Sequence, residues 1–298
     1  MAGEAAGFLI TFRESLEATL IVAIIVAYLS KIGRNDLKRY AWLGTAAAIA
    51  VSISIGGAIL LFYGGLTGVG AKLFEGAAAV TATGVLTFMI IWMARNAHRI
   101  KGSLQHKIDT AILAGSTAGV AALAFIAVVR EGIETVLFMS ALITIDPMGT
   151  ATGGVLGVSA VALLAIGIIR GSYRLDLRKF FTITSIALVV FAAGLLGYGV
   201  HEFIEAFEKM GISLGVLGQT AYNINPADAS DIFHEKGAVG SMLKALLGYD
   251  GNPEILRVVA YSVYWAIAGF YLTRVYIPLY MPTLRRANGI SVAQPPHR

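Results

Sequence analysis

Arg13-Glu14-Ser15-Leu16-Glu17 and Arg130-Glu131-Gly132-Ile133-Glu134 repeat one pattern, Arg-Glu-X-X-Glu, inside two stretches otherwise apolar enough to sit in a lipid bilayer. Ionisable side chains in a spanning helix are costly, pair with something, and by default mark a pathway or a site. Glutamates three residues apart share one face of a helix, so each pentapeptide presents two carboxylates to one object. A hard, oxygen-preferring cation is the natural object.

The chain is 57% apolar and only 14% charged, with a mean hydropathy of +0.74. Soluble domains carry about 25% charged residues, so the composition predicts an all-α, polytopic membrane protein. Seven stretches approach or exceed the roughly 18 apolar residues of a spanning helix. They are Phe8 to Leu29, Ala41 to Phe62, Leu73 to Met93, Ile112 to Ile143, Thr152 to Ile169, Phe180 to Val200 and Val258 to Ile277. The first is read as retained rather than as a signal peptide, because Glu4 precedes it and no basic residue does before Arg13. With no cysteine in the chain, any metal is held by oxygen or imidazole.

Basic residues cluster in alternate connections: Lys31, Arg34, Lys38 and Arg39; then Arg95, Arg99, Lys101 and Lys107; then Arg170, Arg174, Arg178 and Lys179. The positive-inside rule makes these connections cytoplasmic, together with the tail bearing Arg274, Arg285 and Arg286. The amino terminus is then outside and the carboxyl terminus in the cytoplasm. The net charge of +5 reflects these dispersed inner residues and not a nucleic-acid surface. Trp42, Trp92, Tyr276 and Tyr280, at span ends, fit interfacial anchoring.

An internal repeat is visible: Lys72-Leu73-Phe74 matches Lys179-Phe180-Phe181, and at the same offset Thr45-Ala46-Ala47 lies over Thr152-Gly153-Gly154. Each copy holds three spans, and an odd number makes the second copy enter the membrane from the opposite side. The expected organisation is one integral membrane domain: a first repeat over 1–107, a second, inverted repeat over 108–200, an external loop over 201–257, and a seventh helix with a cytoplasmic tail over 258–298. Spans one and four then meet as antiparallel partners. Glu14 and Glu17 lie roughly 9 to 15 Å in from the outer end of their span, so Glu14, Glu17, Glu131 and Glu134 would form one four-carboxylate metal site beside Arg13 and Arg130. The competing explanation is internal i,i+4 ion pairing for packing alone. Two arginines against four glutamates leave two formal negative charges, which a proton or a cation must neutralise.

With both motifs in equivalent spans, seven spans, and an outer loop ending Leu247-Gly248-Tyr249-Asp250, the chain resembles the oxidase-dependent iron permeases of the iron/lead transporter superfamily, including the bacterial-type high-affinity permeases. The resemblance covers essentially the whole chain. It implies import of Fe(II) or Fe(III) as transported substrate, motif glutamates as iron ligands, no permanent cofactor, and an extracytoplasmic ferroxidase or iron-delivery protein as partner. A homo-oligomer is compatible with it. Fungal members carry an acidic Asp-Ala-Ser-Glu element where this chain has Asp228-Ala229-Ser230-Asp231.

Further candidate ligands lie toward the outer mouth: Glu75, His201, Glu202, Glu205, Asp228 and Asp231. Glu75 also suits a first-turn acid favoured by the helix dipole. His201 and Glu205 are four apart, the spacing at which two helical residues can share an ion, while a solvated acidic face explains them equally. His234 with Asp231 and Glu235 is a second group, read first as a solvated loop. Met89, Met93 and Met139 are read as packing, the glycine pairs as close helix contacts, and Gly132 as a local weak point in its helix.

An enzyme is not expected. His201-Glu202 lacks the second histidine of the zinc-protease pattern, and no copper, haem or flavin motif is present to oxidise iron. The remaining rival is a proton-coupled carrier of another cation, such as lead, manganese or an organic cation.

Overall fold

The structure, a computed structural model, describes residues 2–113, 117–169, 177–226, 231–234 and 237–280. Eight α-helices account for most of them: α1 (Ala2–Lys31), α2 (Lys38–Gly64), α3 (Gly68–Leu113), α4 (Thr117–Ile143), α5 (Pro147–Ile169), α6 (Leu177–Lys209), α7 (Ala238–Leu247) and α8 (Ile255–Tyr280). Among the described residues there is no strand, only an isolated bridge between Thr220 and Glu254. Helices α2, α3, α5, α6 and α8 contain stretches long and apolar enough to cross a membrane. Helices α1 and α4 are as long, but each carries an arginine and two glutamates of a motif in its middle.

Long helices pack side by side in pairs: α1 along α5, α2 along α4, and α3 along α6, with α1 and α4 also in contact. Glycine makes two of these seams. A Cβ at Gly153 of α5 would strike the Glu4 carbonyl oxygen of α1, and one at Gly44 of α2 would strike the Ala121 carbonyl oxygen of α4. Small residues at such points let membrane helices approach to backbone contact. Asp146 fixes the turn into α5: its Oδ1 accepts the Gly149 amide at 2.9 Å, with Pro147 as the first helical residue, while its Oδ2 accepts the Gly3 amide of α1 at 3.3 Å.

The connection expected between the third and fourth spans differs from the sequence-based expectation. Helix α3 continues through Arg95–Lys107 to Leu113, so the fourth helix starts at Thr117 and not at Ile112. That stretch contains no proline, and Leu104 and Ile108 place an apolar stripe against Ile25, Leu29, Leu37, Ala41, Val120 and Ala124. Arg99 and Lys101 followed by Gly102 resemble a helix C-terminus, but the packing of Leu104 and Ile108 carries α3 through them. Tyr28 donates to Asp109 Oδ1 at 2.6 Å, joining α1 to the same extension.

Two apolar clusters bracket the motif residues. One gathers Ala6 and Ile10 of α1 with Phe138 and Leu142 of α4 and with α3, α6 and α8; the other gathers the opposite ends of α1 and α4. The ionisable belt at 13–17 and 130–134 lies between them. Beyond α6, the amphipathic α7 ends at Gly248, whose left-handed φ of 71° closes the helix by donating to Lys244 O while Tyr249 donates to Leu243 O. Gly248 lies against Gly194 of α6, and Tyr261 of α8 donates to Leu247 O at 2.9 Å. The Leu247-Gly248-Tyr249-Asp250 sequence is thus the point where the connection between α6 and α8 is seated on those two helices.

Candidate ion-transport site

Helical periodicity turns Glu14 and Glu17 of α1 toward α4, and Glu131 and Glu134 of α4 toward α1. One carboxylate oxygen from each of Glu14, Glu131 and Glu134 lies within 4.8 Å of the other two. Hard cations sit roughly 2.0–2.6 Å from their oxygen ligands, so oxygens sharing an ion are up to about 4–5 Å apart. Three of the four expected carboxylates therefore converge at a spacing that one cation can span. Glu17 stands apart from this trio, its Oε1 2.8 Å from Arg13 Nη2.

The two arginines differ. Arg13 is 0% exposed; its Nη1 donates to Glu14 Oε1 at 3.0 Å and to Met89 Sδ at 3.2 Å, and its Nη2 lies 3.8 Å from Met93 Sδ. Arg130 is 44% exposed, its Nε donates to Glu134 Oε1 at 2.9 Å, and its guanidinium lies 5.0 Å from the Trp92 ring centre. Arg130 Nε is 3.9 Å from Glu131 Oε1. Glu14 Oε2, Glu131 Oε2 and Glu134 Oε2 are buried without a hydrogen-bond donor. Buried carboxylate oxygens without donors are expensive, and a proton or a cation relieves the cost.

A second group of charges ties α3 to α6 at one end of the bundle. Lys72 Nζ is 2.7 Å from Glu202 Oε2, 2.7 Å from Glu205 Oε2 and 3.5 Å from Glu75 Oε2. Tyr63 and Tyr198 donate to Glu75 at 2.8 and 3.3 Å. His201 faces a different partner from the Glu205 proposed by spacing: its Nδ1 is 2.7 Å from Glu254 Oε1. Next to it, Arg257 donates to Asp250. Asp231 is exposed and accepts the Phe233 amide at 2.8 Å, a turn contact. Asp228 and Glu235 lie outside the described residues, as do Arg170, Arg174, Arg285 and Arg286.

Three roles had no signal in the linear sequence. By sequence Lys72 is only a repeat marker, Trp92 an interfacial anchor and Met89 packing; in the fold Lys72 contacts Glu75, Glu202 and Glu205, Trp92 contacts Arg130 and Met89 contacts Arg13. Gly132 is a contact point, since a Cβ there would overlap the Ser52 hydroxyl of α2.

The sequence profile of the Iron permease FTR1 family matches residues 5–277, from the first turns of α1 into α8 and across both motifs. The chain belongs to the iron permease FTR1 family. A protein of Archaeoglobus fulgidus with no described function is 42% identical over 257 residues, covering 86% of this chain and 90% of that protein. The ferrous iron permease EfeU of Yersinia pestis is 34% identical over 260 residues, 86% of this chain and 89% of the relative. The EfeU ferrous iron permease of Escherichia coli O6:H1 is 30% identical over 265 residues, 86% and 91% of the two chains. No solved structure matches. Membership in this permease family, with several helices apolar enough to cross a bilayer, makes the chain a multi-pass membrane protein of transporter class.

Proposed function

We propose that this permease imports iron across the cytoplasmic membrane, taking the ion through the carboxylates of its two motifs. The observation that carries the proposal is the convergence of Glu14, Glu131 and Glu134 oxygens within 4.8 Å at the α1–α4 contact. Glu17, paired with Arg13 in this conformation, completes a four-glutamate site when its side chain turns from that fixed arginine toward the other three. All-oxygen ligation by carboxylates suits Fe(II) and Fe(III) alike; the ferrous iron permeases among its relatives favour Fe(II). Ligating carboxylates must be deprotonated, so ion entry is accompanied by proton loss from whichever of them are protonated.

Seven spans in two inverted three-helix repeats, with the amino terminus outside, give this site an alternating route. Supporting the repeat, α1 pairs with α5 as α4 pairs with α2. The α1 residues that Gly153 approaches, Glu4 and Phe8, and the α4 residues that Gly44 approaches, Ala121 and Phe125, are 117 positions apart. Arg13 and Arg130 are separated by the same interval. Equivalent contacts at the interval of the motifs are what a pseudo-twofold axis through the α1–α4 contact requires. The outer segment 201–257 is the face that meets a ferroxidase or iron-delivery protein.

Iron uptake into proteoliposomes by the parent chain, Glu131→Gln and Glu134→Gln tests the function. Uptake falling at least tenfold in both variants is expected, since each loses one of three converging ligands. Equal uptake in all three proteins refutes the site.

A further inference from the structure

An arginine exposed at bilayer depth is not tolerated against lipid tails; it must face protein or a wetted cavity. Arg130, at 44% exposure, is the most open of the charged motif residues, and Glu134 beside it is next at 14%, whereas Arg13, Glu14 and Glu17 are closed off. The carboxylate group is therefore least covered on the Arg130 side, where the guanidinium stands between the exposed apolar side chains of Ile126 and Ile133. There the guanidinium does two things at once: its Nε holds Glu134 Oε1 at 2.9 Å, and its plane rests on the Trp92 indole at 5.0 Å.

We propose that Trp92 is a positioning residue for ion release: it holds Arg130 in the pose in which the guanidinium competes with iron for Glu134, on the open side of the site. The inference rests on the motif carboxylates being the iron site. A guanidinium donating to Glu134 lowers that carboxylate's value to a metal, because the same oxygen cannot serve both fully. Trp92 strengthens the competitor through the negative face of its ring. Arg13 has no such role: its guanidinium is enclosed by Met89, Met93, Glu14 and Glu17, with no exposed route along which to move. The asymmetry between two identical motifs thus assigns one arginine to holding the fold and the other to emptying the site.

The sign of the effect is distinctive. Removing the indole weakens the competitor, so Trp92→Leu binds iron more tightly and lets it go more slowly. In proteoliposomes loaded with Fe(II) under reducing conditions, KM and kcat for Trp92→Leu fall together, each by roughly 2- to 30-fold, the range to which a cation–π contact of usual strength converts. Trp92→Phe keeps a ring and falls less. In an Arg130→Gln background, Trp92→Leu has no further effect, because the indole acts only through the guanidinium. Loss of kcat with unchanged KM, or an undiminished Trp92→Leu effect in the Arg130→Gln background, overturns the proposal. A second measurement is independent of transport. In this cysteine-free chain, Arg130→Cys is expected to react with a charged, membrane-impermeant thiol reagent, whereas Arg13→Cys is not. Reaction at Arg13→Cys alone, or at neither, overturns the assignment of Arg130 to the side from which the ion leaves. If instead Glu131→Gln and Glu134→Gln bind Fe(II) as the parent does, the carboxylate site itself fails, whatever the Trp92 variants show.

Discussion

Replacing Arg13 with methionine should unsettle the fold far more than the same change at Arg130. Arg13 is completely buried and pairs with Glu14 at 3.0 Å and Glu17 at 2.8 Å, so its loss leaves two enclosed carboxylates without their cation. Breaking a buried pair by removing one partner costs about 3–5 kcal/mol. Arg130 is 44% exposed and pairs chiefly with Glu134, a contact in the class worth about 0–1 kcal/mol. At about 2–4 °C per kcal/mol for a chain of this class, the melting temperature falls by roughly 6–20 °C for Arg13→Met and by roughly 0–4 °C for Arg130→Met. Detergent-solubilised protein followed by tryptophan fluorescence during heating gives both values. Adding Glu17→Gln to Arg13→Met removes one stranded charge and recovers part of the loss. Equal losses at the two arginines, or no recovery in the double variant, refute the assignment of Arg13 as the structural member.

At the α1–α5 seam, Gly153→Val drives a side chain into the Glu4 backbone and costs about 1–3 kcal/mol, whereas Gly57→Val, with nothing within 4 Å of its Cβ, leaves the melting temperature unchanged. Lys72→Met strands Glu202, lowering stability by about 1–3 kcal/mol, and Glu202→Gln in the same chain restores part of it in the same melting assay. Between α7 and α8, burial raises the Asp250 carboxyl, but the adjacent Arg257 guanidinium, the Asn252 amide and the charges of Lys244 and His201 together outweigh it and hold it below its ordinary value. For Glu254, burial likewise raises the carboxyl, and the His201 hydrogen bond, a backbone amide and the charges of His201 and Arg257 together outweigh it. A folded pKa below the unfolded one stabilises above the unfolded value, near about 4 for these carboxyls, and is lost as pH falls through the folded value. The melting-temperature gap between the parent and Asp250→Asn is therefore full at neutral pH and narrows below about pH 4; a gap that does not change with pH contradicts the pairing.

How much was legible in the sequence follows from the reach of each signal. Arg13, Glu14, Glu17 and their counterparts at 130–134 stood out because ionisable groups inside apolar runs are rare, and three of those four carboxylates do converge. The long helices were readable from the same runs. The helical Arg95–Lys107 was not, because basic residues report where the membrane ends and say nothing of whether a helix ends with it. His201 was matched to Glu205 by helical spacing, yet its partner Glu254 is 53 residues away, a tertiary contact that no local periodicity encodes. Glu17 illustrates the finer limit: i,i+4 pairing and metal ligation are both compatible with its position, and the enclosed Arg13 decides between them in this conformation. The difference between the two arginines has no trace in identical pentapeptides; it arises from Met89, Met93 and Trp92 on α3.

The most direct measurement is anomalous scattering from iron in crystals of the Fe(II)-loaded protein. One peak between α1 and α4, within about 2.0–2.6 Å of oxygens from Glu14, Glu131 and Glu134 and absent in Glu131→Gln, is the expected result. Iron located only elsewhere, for example among Glu75, Glu202 and Glu205, with the motif carboxylates unliganded, contradicts it.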